Sequence, residues 1–252
     1  MLGIGVAFLA IPILSFGSND LVGSIQPLAL LLNGVSALFA TSAFAATGHL
    51  EWRKALLLST TMSIAAPFGA LTARYIAPVI IWIMFYFAVA LVLWLLFKPR
   101  RVDRAAGFER TLVVSVPVSY LCSVLGVGPG FVMVPLLIRA GHSVRSAAAI
   151  NAVAVVPSSF AAFGMHLYTG ARIDASASPV VAIAAVASLA GGYLASRHVN
   201  ERPLRIIFAA TIIGLCGYKS LGLLRPPALV VPAALARTAP PLQVLWKAAK
   251  AG

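Results

Sequence analysis

Two short glycine stretches, Gly3-Ile-Gly5 and Gly126-Val-Gly128-Pro129-Gly130, interrupt apolar runs, and in each a proline (Pro12, Pro135) lies nine residues after the first glycine. Glycine weakens helical hydrogen bonding through its conformational freedom, and proline by lacking an N–H. In hydrocarbon, backbone groups freed in this way persist only beside protein or a water-filled cavity. Helices broken there aim N–H groups and the positive ends of their dipoles at a bound anion. The chemistry expected of Gly3, Gly5, Gly126, Gly128 and Gly130 is therefore main-chain binding of a small negative solute. Close helix packing through small residues is the competing use of the same glycines. Polar side chains in nearby apolar runs extend the candidate set to Gln26, Asn33, Asn151 and Ser158, with Ser159 beside it. A buried amide or hydroxyl needs a partner, either another helix or a ligand.

Other chemistries lack their residues. All six acidic residues (Asp20, Glu51, Asp103, Glu109, Asp174, Glu201) fall in expected loops or at segment ends. Cation carriers and proton pumps place carboxylates inside the bundle, so cation transport is disfavoured, and intramembrane hydrolysis has no acid/base pair. The chain is read as a non-enzyme without cofactor or metal. His49, His142, His166 and His198 lie at segment ends and are expected to be wet, a proton relay through His166 being a minor option. Cys122 and Cys216 sit in apolar runs without disulfide or metal spacing. Arg145, Trp52, Trp82 and Tyr168 read as interface anchors, and Glu51 and Asp174 as helix starts.

The elements that must position these groups are membrane helices. Of 252 residues, 61% are hydrophobic and 10% charged, whereas soluble domains carry about 25% charged residues. Apolar segments fall near 2–16, 27–47, 54–73, 79–97, 111–139, 146–168, 177–196 and 204–224. They are too continuous for barrel strands. The fold class is all-α: a polytopic, multi-pass helix bundle in a cell inner membrane, with the lipid bilayer as its partner. The net charge of +13 lies at segment ends and in loops rather than in a basic stripe, which excludes nucleic acid. Association of several copies is left open.

A 123-residue shift lays GIGVAFLAIPIL on GVGPGFVMVPLL, matching Gly3, Gly5, Phe8, Pro12 and Leu14 to Gly126, Gly128, Phe131, Pro135 and Leu137. Gly69, Leu71 and Arg74 likewise match Gly192, Leu194 and Arg197. The expected organisation is two repeats of about four helices each, residues 1–97 and 111–224. A basic cytoplasmic link, 98–110, joins them, and a partly disordered cytoplasmic tail, 225–252, follows. Only Met1 and Leu2 precede the first glycine motif, so the first helix is expected to be truncated. Loop charge fits either parallel or inverted repeats. The equivalent positions of the basic link and basic tail favour the parallel arrangement.

The glycine break leading to Pro-Leu-Leu, the Gly170–Asp174 loop, and GGYLASR followed by PLRIIFA resemble the sulfite exporter TauE/SafE family, with first-half counterparts GIGVAFLAIPIL, GHLEW and FGALTAR. The resemblance covers residues 3–224. It implies a bacterial inner-membrane permease of about eight helices, moving sulfite, organosulfonates or other small anions. The family's Gly-x-Gly-Gly-Gly run is GIGVA and GVGPG here, and its Thr-Ser is Ile150-Asn151. Both departures fall at the expected anion site. A secondary transporter is the favoured reading. A non-transporting scaffold or inactive relative is the alternative.

Overall fold

In a computed structural model, the structure describes residues 6–15, 20–45, 50–97 and 107–171, together with 173, 179, 181–187, 210, 213–214 and 217. The described elements are helical: α1 (Val6–Leu14), α2 (Gln26–Ala45), α3 (Trp52–Ala73), α4 (Pro78–Phe97), α5 (Phe108–Val124), α6 (Gly130–Arg139) and α7 (Val144–Tyr168). A π-helical turn, Leu21–Ile25, runs directly into α2, its start held by the Asp20 carboxylate accepting from the Gly23 N–H at 2.9 Å. All described residues except Gly217 belong to one unit, Met1–Cys216.

The helices carry apolar residues on all sides because both their surroundings are apolar. Inner faces pack as clusters such as Phe8, Phe85 and Phe131, whose rings lie 5.1 and 4.7 Å from Phe8. Outward-facing side chains remain large and apolar, with Phe87 73% and Val113 73% exposed. Such a surface is stable against lipid and not against water. Leu21–Ala45, Trp52–Ala73 and Val144–Tyr168 are long and apolar enough to cross a membrane by length and composition. Within the helices, hydroxyls bond carbonyls one turn earlier, as Thr60 does to Leu56 and Thr72 to Phe68. In this way a hydroxyl is satisfied without water.

Named contacts fix the helix directions. Helices α3 and α7 run parallel, since Glu51 meets Ser146 at one end and Arg74 reaches the Thr169 carbonyl at the other. Helix α5 runs with them: Thr61 bonds Ser115, and Tyr120 donates to Thr72. Helix α2 is antiparallel to α7, with Leu30 clustered with Ala162, Asn33 bonded to Ser159, and Phe44 clustered with Ala148.

The single apolar segment expected over 111–139 is not one crossing. Phe108, which opens α5, and His142, just past α6, lie with ring centroids 6.0 Å apart, and Lys54 touches both. Helices α5 and α6 therefore form a hairpin that enters and leaves at the Glu51 end of the bundle. A glycine break makes the reversal.

The directions of α2 and α7 bear on the expected parallel arrangement of the halves. The 123-residue shift carries Leu21–Ala45 onto Val144–Tyr168, and those two spans run in opposite directions. Between them lie α3, α4 and the α5–α6 hairpin, which comes back to the end it started from. The tail and most of the link lie outside the described residues, although Phe108–Arg110 already belong to α5.

Candidate functional site

Helix α5 ends in two crossed bonds: the Val127 N–H donates to the Cys122 carbonyl at 2.9 Å, and the Gly126 N–H to Ser123 at 3.0 Å. This is a Schellman closure, which needs a left-handed residue at its turn. Gly126 supplies it with φ +71°. Chain 125–129 then returns to Pro129, which opens α6 without a side-chain cap. The first N–H groups of α6 have no carbonyl one turn before them, so the helix start is a set of aligned donors.

Two amides on α2 pack into this break. Gln26, fully buried, donates from Nε2 to the Val124 carbonyl at 3.0 Å, and its Oε1 has no hydrogen-bond partner. A Cβ on Gly126 would come within 2.7 Å of Gln26 Cβ. About two turns along α2, Asn33 donates from Nδ2 to Ser159 Oγ at 2.9 Å. A Cβ on Gly128 would stand 2.7 Å from Asn33 Cγ. The glycines thus allow the returning backbone to lie directly on the two amides.

The structure brings together Gln26 with Gly126, and Asn33 with Gly128 and Ser159; Gly130 opens the helix that follows. It does not bring all candidates to one place. Asn151 is buried on α7 but lies eight residues from Ser159, about 12 Å along the helix axis. Ser158 is buried with its hydroxyl turned onto the Ala154 and Val155 carbonyls of its own helix. Gly3 and Gly5 lie outside the described residues.

Two histidines depart from their expected wet positions. His166 is 1% exposed, and its Nε2 has no hydrogen-bond partner. Its spacing from Ser159 and Ala162, seven and four residues, places it on the buried stripe of α7. That periodicity is the sequence signal that could have identified it. His142 turns Nδ1 to the Leu137 carbonyl at 3.2 Å and Nε2 to the Lys54 ammonium at 3.0 Å. A carbonyl can only accept, so the ring proton sits on Nδ1, and Nε2 accepts a hydrogen bond donated by the ammonium.

Around Lys54 the Glu51 end of the bundle is tied together. The ammonium lies 2.6 Å from Glu51 Oε2, and Ser146 donates to Glu51 Oε1 at 3.0 Å. The Lys54 hydrogen bond holds the Glu51 carboxyl below its usual range against an opposing effect of partial burial, with Ser146 helping. Glu51 stands at the helix start as expected, but it caps no N–H and instead bridges α3 to α7.

The buried polar residues described here are Ser, Thr, Gln, Asn and His, with no carboxylate among them. This set can donate to an oxyanion and cannot neutralise a cation. No curated protein and no solved structure matches the chain. The family model for sulfite exporter TauE/SafE matches residues 1–219. A membrane-type helix bundle, a re-entrant glycine break over neutral amides, and that match across most of the chain lead to one conclusion: the protein belongs to the sulfite exporter TauE/SafE family and is a membrane transport protein.

Proposed function

We propose that the chain is a multi-pass secondary transporter of the bacterial inner membrane, moving a small oxyanion such as sulfite or an organosulfonate. The anion is held where the Gly126–Gly130 break lies against Gln26 and Asn33. One observation carries the reading: a helix interruption deep in an apolar bundle faces two buried amides, and no described carboxylate is buried with them. Aligned N–H donors in low dielectric favour negative charge. In this proposal residues 1–97 and 111–224 are inverted repeats, and Gly3 and Gly5 form the counterpart break. The basic link 98–110 is cytoplasmic, which sets the Glu51 end on that side; inversion carries the equivalent tail, 225–252, to the opposite face rather than the expected cytoplasmic one. An inside-negative potential then drives anions outward, by about 2.3 kcal/mol per charge per 100 mV.

A scaffold that transports nothing is the second reading, favoured by how tightly Gly126 and Gly128 pack on the two amides. Flux of radiolabelled sulfite and of a sulfonate into proteoliposomes separates the two. Transport that is lost in Gly128→Val and retained in Asn151→Leu supports an anion site at the break. Absence of flux for every small anion, in folded protein, rejects it.

A further inference from the structure

The pairs Leu30–Ala162, Asn33–Ser159 and Phe44–Ala148 share one antiparallel register between α2 and α7. Carried four residues beyond Leu30, that register sets Gln26 level with His166. Both residues continue the stripes that face each other, since Gln26, Leu30 and Asn33 repeat at helical spacing, as do Ser159, Ala162 and His166. Both are almost completely buried, at 0% and 1% exposure, and each has one polar atom without a hydrogen-bond partner, Gln26 Oε1 and His166 Nε2. Two unpartnered polar atoms at one level are unusual, because buried polar groups are almost always bonded. A π-helical turn, Leu21–Ile25, ends at Gln26. Such turns are frequent at functional positions.

The chemistry of the two atoms differs. Gln26 Nε2 is committed to the Val124 carbonyl, so the remaining Oε1 can only accept. An anion without hydrogen gains nothing there and meets a repelling dipole. In the tautomer with its ring proton on Nε2, His166 donates to a negative oxygen. We infer that the Gln26–His166 level is a selectivity station for oxyanions that carry one O–H group. The O–H donates to Gln26 Oε1, and a negative oxygen of the same ligand accepts from His166. Among the described residues, the charged groups on the neighbouring elements are Asp20 at the head of α2 and Arg74 at the foot of α3, the latter engaged with the Thr169 carbonyl. Tyr120 of α5 is committed to Thr72, and Cys122 is buried beside the break. None of these supplies a buried carboxylate to replace the ligand's acceptor.

This inference rests on the transporter reading above, and an isosteric pair tests it separately. Methylphosphonate monoanion and methanesulfonate share shape and charge and differ by one O–H. In proteoliposomes at mildly acidic pH, wild-type protein should carry methylphosphonate in preference by about tenfold or more, the lower end of the penalty for a buried acceptor left unpaired by the poorer ligand. Gln26→Leu should abolish that preference, its methylphosphonate flux falling further than its methanesulfonate flux, and a single monodisperse peak in detergent gel filtration shows that the variant folds. His166→Phe should slow both anions together. Equal flux of the pair in wild type, or a preference that survives Gln26→Leu, overturns the selectivity station and leaves the transporter reading intact. No flux of either anion or of sulfite overturns both.

Discussion

Gly128 lies so close to Asn33 that a Cβ added to the glycine would stand 2.7 Å from the amide carbon, Cγ. The amide cannot simply swing away, because its Nδ2 is bonded to Ser159 at 2.9 Å. Gly128→Ala must therefore either break that α2–α7 bond or push the break off α2. Overpacking of this kind costs about 1–3 kcal/mol. The expected outcome is a lowered melting temperature in detergent together with loss of anion flux. Gly164→Ala on α7 is the control. Nothing lies within 4 Å of its added Cβ, and alanine is favoured over glycine in a helix by about 0.5–1 kcal/mol. It should leave stability equal or improved.

Gly126 is restricted for a different reason. Its φ of +71° costs an L residue about 1–2 kcal/mol whatever the space, and Gln26 occupies that space as well. Gly126→Asn relieves part of the backbone cost, since asparagine tolerates the left-handed region, but it keeps the clash. Gly126→Ala and Gly126→Asn should both destabilise, with Asn no better than Ala if the Gln26 contact dominates. Thermal unfolding of Gly126→Ala in a Gln26→Gly background, which also removes the Gln26 Cβ 2.7 Å from the added one, measures the split. A cost that persists there belongs to the backbone alone.

These two glycines also show what could be read from sequence and what could not. Gly-x-Gly inside an apolar run announces a break because no other residue pair weakens a helix in that way. Composition announced the lipid-facing bundle, since there were too few polar side chains to build a wet surface. Direction was hidden. Whether chain 125–129 continues or turns back depends on Val127 and Gly126 closing onto Cys122 and Ser123, and apolar residues fit either course equally well. Asn151 and Ser158 looked alike by type. Only the helix register shows that one is displaced along α7 and the other is spent on its own backbone. His166 departs from its expected wet position because the buried stripe of α7 continues to within two residues of the helix end.

The tie at the Glu51 end predicts a pH dependence of known sign. Hydrogen bonding to Lys54 lowers the Glu51 carboxyl from its ordinary 4.5. The native state therefore binds its proton less readily than the unfolded chain. The stabilisation is complete above that ordinary value and is lost as pH falls through the lowered one. Glu51 is 43% exposed in its side chain, so the contribution should be under about 1 kcal/mol. Glu51→Gln should lower the melting temperature slightly at neutral pH, and the gap from wild type should close at strongly acidic pH. A gap independent of pH would mean that the carboxylate charge plays no part.

Antiparallel α2 and α7 make a prediction about sidedness that needs no substrate. In a background of Cys122→Ala and Cys216→Ala, Ser143→Cys lies at the end shared with Glu51, and Tyr168→Cys at the end shared with Arg74. Both positions are accessible, Tyr168 being 87% exposed. A membrane-impermeant maleimide added to intact cells should label one of them and spare the other until the membrane is opened. Asp20→Cys, at the head of the span leading into α2, should behave like Tyr168→Cys, because the two spans cross in opposite senses. Had equivalent spans run the same way, Asp20→Cys would instead follow Ser143→Cys, since those positions correspond at the 123-residue shift. The pairing of Asp20 with Tyr168 or with Ser143 therefore decides between inverted and parallel halves by labelling alone, and it does so even if no anion is ever seen to move.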